Sequence, residues 1–353
     1  MAGTGSAPRV LLVAMYPLDR GRWGPIARIT QLRDELARRT RLDVVDGERG
    51  ARRWRLWRYA FSGRLRGLDG IYVENSSTLP SETDIAFLGL ARLLGIPVLT
   101  YVRDAQYLFG EYYAATSLKR RVARALFLPA IGLLRAVSTC MAYPSRGLAD
   151  AVRAREPDPI LLPPGSPAPI RAERRPDARS LLFVGGMRYP VHGLDLLVGA
   201  VERVRSEGHE LDVICVSRPG EEPPEPRPAW LRVERGGVEE IARLLPGVVA
   251  TIQPRHRSPY NDLAVPIKVM EYLAYGRPLV VTDCTEQARI VADADAGIVV
   301  ADDVESLADG LRRIATASPE EIDRWSANAT AAAIGASWGR RADRILEVLG
   351  VAA

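Results

Sequence analysis

The chain has 353 residues, 47% of them apolar and 26% charged, with a formal net charge of +5. That length suits two domains with separate cores, and that balance excludes a disordered, collagen-like or disulfide-scaffold protein. No uncharged apolar run approaches the length of a spanning helix. The opening residues run into a strand-like V-L-L-V-A with no signal-peptide layout. Cys140, Cys215 and Cys284 are odd in number, widely spaced and set in apolar segments. They read as buried thiols in a reducing, cytoplasmic compartment, with no metal-ligand spacing. Charge is uneven: residues 1–165 hold 25 Lys/Arg against 15 Asp/Glu (+10), and residues 166–353 hold 23 against 28 (−5). The first half therefore either faces something anionic or carries an arginine-rich solvated face.

A first strand at 9–15 leads through Y-P-L-D-R-G-R-W-G-P into a helix striped by Ile26, Ile29, Leu32 and Leu36. Strand, glycine loop and helix present backbone N–H groups at the carboxyl end of a sheet, although Gly21 and Gly24 match no dinucleotide fingerprint. Strands at 42–45 and 70–73 flank A-R-R-W-R-L-W-R-Y-A-F-S-G-R-L-R. There Trp54, Trp57, Phe61 and Leu65 share a stripe, surrounded by Arg52, Arg53, Arg55, Arg58, Arg64 and Arg66. This pattern fits an interfacial membrane helix, and equally a crossover helix burying its aromatics on the sheet.

An apolar helix at 84–94 closes on Gly95, and the strand P-V-L-T-Y-V ends in Arg103-Asp104. Polar groups at such a strand end sit where parallel folds bind ligands. Tyr107, Phe109, Tyr112 and Tyr113 follow as candidate pocket walls, while Asp104 has the alternative of only capping the next turn. Residues 117–137 form a second basic, apolar segment that Pro129 should kink or break. S-T-C-M-A-Y is strand-like, and a helix follows at 146–155.

The run L-P-P-G-S-P-A-P-I-R-A-E-R-R-P-D-A-R reads as a linker. S-L-L-F-V-G-G then restarts the pattern before a helix at 193–206. L-D-V-I-C-V-S, G-V-V-A-T-I-Q and P-L-V-V-T-D continue it, an α/β alternation that predicts a second doubly wound parallel sheet. E-E-P-P-E-P-R-P is a surface loop, and P-R-H-R-S-P-Y-N-D is a polar loop after the strand at 247–253. Helices at 319–331 and 337–349 end the chain.

The most informative stretch is V-P-I-K-V-M-E-Y-L-A-Y-G-R-P-L-V-V-T-D, residues 265–283. Pro266 suits a helix start, and Gly276 with Pro278 a stop. Ile267, Met270, Leu273 and Ala274 form the core face, with Lys268, Glu271 and Tyr275 on its flank. Lys268 is one of two lysines in an arginine-rich chain and sits in the first turn, against the helix dipole. An anion over the helix start would reverse that penalty, whereas a Lys268–Glu271 surface pair is the plain alternative.

This stretch resembles the donor-binding helix of GT-B glycosyltransferases of the family 4 type. The resemblance implies two Rossmann-like doubly wound α/β domains facing across a cleft. Residues 1–165 would bind the acceptor and 166–335 the nucleotide sugar. Residues 336–353 would cross back to the first domain, anchored by Trp338. Lys268 and the helix start, with Ile267, would face the nucleotide diphosphate, and Glu271 the ribose hydroxyls. The turn after the strand at 181–185 would add Gly186, Arg188 and His192. His256, Tyr260 and Asp262 would lie over the donor sugar. Gly24 would sit beneath the donor and Trp23 beside the acceptor, with Arg103, Asp104 and Tyr107. Two positions depart from the family pattern: Leu263 stands where an earlier Glu is usual, with Asp262 beside it, and Arg103-Asp104 replaces a His-containing step.

The implied activity is transfer of a sugar from a nucleotide-diphosphate donor to the hydroxyl of a saccharide, lipid-linked or small-molecule acceptor. Retention at the anomeric carbon is expected, with Lys268, Arg188 and Asp104 as catalytic residues and Asp104 as general base if the enzyme inverts. No cofactor, metal or nucleic acid is expected. The basic helices suggest contact with an anionic membrane at the cytoplasmic face. The same fold also serves nucleotide-sugar epimerases, and the two departures leave room for a non-catalytic nucleotide-sugar-binding protein.

Overall fold

The computed structural model describes residues 7–19, 24–75, 79–110, 113–186 and 192–351. The chain divides into two compact units, one of Met1–Gly165 with Trp338–Ala353, the other of Ser166–Ser337. Each is built on a six-stranded parallel sheet.

In the first unit, β1 (Arg9–Ala14), β2 (Arg41–Val45), β3 (Gly70–Asn75), β4 (Val98–Val102), β5 (Cys140–Tyr143) and β6 (Ile160–Leu161) take the order β2-β1-β3-β4-β5-β6. β3 and β4 are buried throughout, as parallel strands covered on both faces must be. The helices are α1 (Gly24–Ala37), α2 (Arg49–Phe61), α3 (Glu82–Leu93), α4 (Leu118–Val137) and α5 (Arg146–Ala151). With right-handed crossovers, α2 packs on α3 and α3 on α4 on one face of the sheet. On the other face α1 packs on the last helix of the chain (Trp338–Val348). That helix gives Trp338, Ala342, Ile345 and Leu346 to the core formed by Val10, Leu12, Ile29 and Leu32.

Two expectations change here. The aromatic stripe of α2 does not lie on the sheet. Its buried face is Arg52, Leu56 and Tyr59, while Trp54, Trp57 and Phe61 point outward and Leu65 is buried on a separate 3-10 turn. Arg52 goes inside because Asp84 of α3 accepts from its Nε at 2.8 Å and Nη2 at 2.7 Å, and the Gly47 carbonyl accepts from Nη1 at 2.7 Å. α4 also runs unbroken across Pro129. Pro129 and Ala125 are both exposed, so water meets the carbonyl that the proline ring leaves without a partner.

The second unit orders its strands β12-β11-β10-β7-β8-β9. They are β7 (Ser180–Val184), β8 (Asp212–Val216), β9 (Leu231–Glu234), β10 (Val248–Gln253), β11 (Leu279–Thr282) and β12 (Gly297–Val300). The helices are α6 (Leu194–Ser206), α7 (Val238–Leu244), α8 (Pro259–Leu263), α9 (Ile267–Ala274), α10 (Thr285–Asp293), α11 (Val304–Thr316) and α12 (Pro319–Gly335), so the C-terminal helix is α13. The proline-rich run expected as a linker is tied down from Ser166 onward. Ser166 N–H donates to Ala336 O and its hydroxyl to Met270 O, Ile170 N–H donates to Ala274 O, and Arg175 N–H to Pro246 O. Arg277 extends this brace, donating to the carbonyls of Val248, Gly276, Ala172 and Leu245.

Candidate active site

The site assembles where three loops leave the carboxyl ends of β7, β8 and β10. β7 ends in a glycine turn in which Gly185 takes φ +128°, a conformation that side chains rarely adopt. A Cβ there would overlap the Nζ of Lys268. At Gly193 (φ +69°), just before α6, a Cβ would overlap the Pro254 carbonyl oxygen. These two absent side chains let the β7–α6 turn approach both α9 and the loop after β10.

α9 presents Lys268 in its first turn, ahead of the regular helical ladder, where Val269 N–H donates to the Pro266 carbonyl at 3.1 Å. Its buried residues are Val269, Met270, Tyr272, Leu273 and Ala274, so Met270, Leu273 and Ala274 are core as expected, while the face turns to take in Val269 and Tyr272 and leaves Ile267 half-buried. Tyr272 explains the turn: its phenol accepts from Val184 N–H at 2.8 Å, fixing α9 to the end of β7. The Lys268 ammonium sits 4.5 Å from the centre of the Phe183 ring. It makes no ion pair among the described residues, so the surface-pair alternative fails. Burial, then the neighbouring Arg255 guanidinium, lower its pKa from 10.5 to about 8, against weaker attraction from Glu271, Cys215 and Glu221. His192 is likewise pushed down to about 4 by burial, Lys268 and Arg255, so its imidazole is neutral near pH 7. Glu271 is raised by burial despite Lys268 and Arg218. The Glu221 carboxylate lies against Gly186, 3.1 Å from where a Cβ would stand.

Lys268, His192, Glu271 and Gly186 are therefore brought together, and Arg255 and Glu221 join them unforeseen. Cations crowd a desolvated turn at a helix start, which is an arrangement completed by an anion. The loop carrying the other donor-side residues is braced. His256 Nε2 lies 2.9 Å from Asp195 in the first turn of α6. Asp262 takes Arg257 at 3.1 Å and Thr285 N–H at 3.1 Å. Tyr260 is half-buried in α8. Arg188 and Trp23 lie outside the described residues, as does Tyr112.

In the first unit, Gly24 is the first residue of α1. Asp104 follows β4 and accepts from Gln106 N–H at 3.0 Å, two residues on at the start of a 3-10 turn. Tyr107 packs on Tyr113 at 4.4 Å and Phe127 at 5.2 Å. Arg103 lies over the Tyr16 ring at 5.7 Å. Nearby is a buried group that the sequence reading passed over. Arg28 pairs with Glu74, Tyr72 donates its hydroxyl to Glu74 at 2.7 Å, and the Arg28 guanidinium covers Tyr101 at 4.1 Å. A glutamate closing the apolar run of β3 was the available signal.

Residues 178–317 match the family described as Glycosyl transferases group 1. A search of curated protein sequences gives no match. Among solved structures, Anabaena Alr3699/HepE in complex with UDP and glucose superposes with a TM-score of 0.62 at 13% identity, over 96% of this chain and 99% of that one. WaaG, a glycosyltransferase involved in lipopolysaccharide biosynthesis, gives 0.60 at 15% over 96% and 99%. Sucrose-phosphate synthase from Thermosynechococcus elongatus gives 0.62 at 13% over 97% and 98%. These likenesses are likenesses of fold.

Proposed function

We propose that this glycosyltransferase, with its group 1 domain over residues 178–317 and its GT-B fold, moves a sugar from a nucleotide-diphosphate donor to an acceptor hydroxyl with retention. The observation that carries the reading is the desolvated Lys268 ammonium, which makes no ion pair among the described residues and lies in the first turn of α9 beside Arg255 and His192. As the glycosidic C–O bond breaks, negative charge develops on the diphosphate. A pre-placed ammonium and helix start stabilise that charge without reorganising. Arg188, which falls between β7 and α6 in sequence, is the second cation of this scheme, and Glu271 accepts from the ribose hydroxyls. The loop bearing His256, Tyr260 and Asp262 covers the sugar.

The acceptor is a saccharide, lipid-linked or small-molecule hydroxyl. It is held by the first unit through Arg103, Asp104 and Tyr107, with the diphosphate oxygen taking its proton. No metal is needed in this scheme. A reducing compartment suits the buried Cys215 and Cys284. Because HepE is described in complex with UDP-glucose, uridine diphosphate sugars come first in a thermal-shift panel. Ligand at about 100 times its Kd stabilises by about 2.7 kcal/mol. A melting temperature unmoved by every nucleotide sugar, or donor epimerised without acceptor, would overturn the proposal.

A further inference from the structure

The helical layer formed by α2, α3 and α4 carries an apolar surface that the first unit does not use. On α2, Trp54 is 67% exposed, Trp57 37% and Phe61 83%, at helical spacing and opposite the buried Arg52, Leu56 and Tyr59. Leu93, at the end of α3, is 87% exposed, and Leu90 and Leu94 stand out beside it. On α4, Leu118, Val122, Leu126 and Leu133 form an exposed stripe separate from the buried Phe127, Ile131 and Leu134. Trp57 and Phe61 stack at 5.7 Å and, with Trp54, Arg58 and Ser62, line a shallow hollow of 680 Å³. Neither α2 nor α4 contains an acidic residue, while Arg58, Arg64 and Arg66 on one side and Lys119, Arg121 and Arg124 on the other are exposed. No helix among the described residues is long and apolar enough to cross a membrane.

We propose that this three-helix face seats on a bilayer surface rich in anionic headgroups, with Trp54, Trp57 and Phe61 entering the headgroup–acyl boundary. The charge decides the occupant. A second copy docked two-fold on the same face would set arginine against arginine, so the complementary surface is anionic. Exposed apolar groups spread over three adjacent helices, with indole rings among guanidinium groups, match a flat interface better than one groove for one peptide. The inference goes beyond the transferase reading and does not depend on it.

The test is co-sedimentation with vesicles of phosphatidylcholine alone and with about 30% phosphatidylserine, at about 50 mM salt. The chain should sediment with the anionic vesicles only, and release near 500 mM salt, where the Debye length falls to about 4 Å. Trp54→Ser with Trp57→Ser and Phe61→Ser should cut partition at least tenfold, and Arg58→Gln or Arg121→Gln by about fivefold each. All five side chains are exposed, so melting temperature and nucleotide-sugar binding should not change. Full retention in the supernatant at low salt, or variants that sediment as well as the parent, would overturn the proposal. So would a concentration-dependent dimer that the triple variant abolishes without any vesicle binding, which would assign the face to a second copy. Because no donor or turnover enters the assay, its failure leaves the transferase reading standing.

Discussion

Replacing Lys268 with Met should stabilise the ligand-free protein while removing donor binding. At about 1.4 kcal/mol per tenfold change in proton affinity, a fall from 10.5 to about 8 costs the folded state about 3 kcal/mol. That figure is a ceiling, because water still reaches part of the site. Methionine keeps the stem packed on Phe183 and discards the charge. For a unit the size of Ser166–Ser337, each kcal/mol is about 2–4 °C in Tm. The sign follows from proton counting. Below about pH 8 both folded and unfolded chains hold the proton, and the penalty is complete. Between about 8 and 10.5 the unfolded chain holds a proton that the folded one has released, so wild-type stability rises with pH and the gap to the variant closes. Thermal unfolding of both proteins from about pH 7 to 10, with and without nucleotide sugar, tests this. A variant that melts below wild type at pH 7, or a gap that ignores pH, would refute the reasoning.

Gly185→Ala adds a methyl where the Lys268 ammonium sits, on a backbone at φ +128°. Donor affinity should fall at least about tenfold at a stability cost of about 1–3 kcal/mol, and titration calorimetry giving parental affinity would count against the geometry. Asp104→Asn keeps the bond from Gln106 N–H but not the carboxylate, so transfer should drop at least about tenfold with Tm unchanged. Equal kcat would leave Asp104 with a structural role alone. Asp84→Ala strands the buried Arg52 guanidinium and should cost about 3–5 kcal/mol by urea unfolding. Burial opposes ionisation of Asp84, but the Arg52 and Ser81 donors outweigh it and hold its carboxyl below the usual range. This contribution is therefore full above the unfolded carboxyl pKa and should fade as pH falls below it.

The two sheets were legible because strands buried on both faces read as near-continuous apolar runs, as in L-L-F-V and V-V-A-T-I-Q, where Thr251 and Gln253 are the polar members. Lys268 was legible too, as a cation placed against a helix dipole. What surrounds it was not. Arg255 and Glu221 come from other loops, and their approach depends on Gly185 and Gly193, whose turns give no spacing signature. The outward turn of the α2 aromatics was likewise undecidable from one helix. Its opposite face looks polar until Asp84, 32 positions after Arg52, supplies a buried partner.

The parallel bridge between Ser166 and Ser337 has a consequence for synthesis. The chain enters and leaves the second unit side by side, so in connectivity that unit is an insertion within the first. A ribosome would complete Ser166–Ser337 before releasing Trp338, Ala342, Ile345 and Leu346, which the earlier-made unit needs to close its core. The first unit must then wait, its core unfinished, until the helix Trp338–Val348 emerges, while the unit Ser166–Ser337 is already whole.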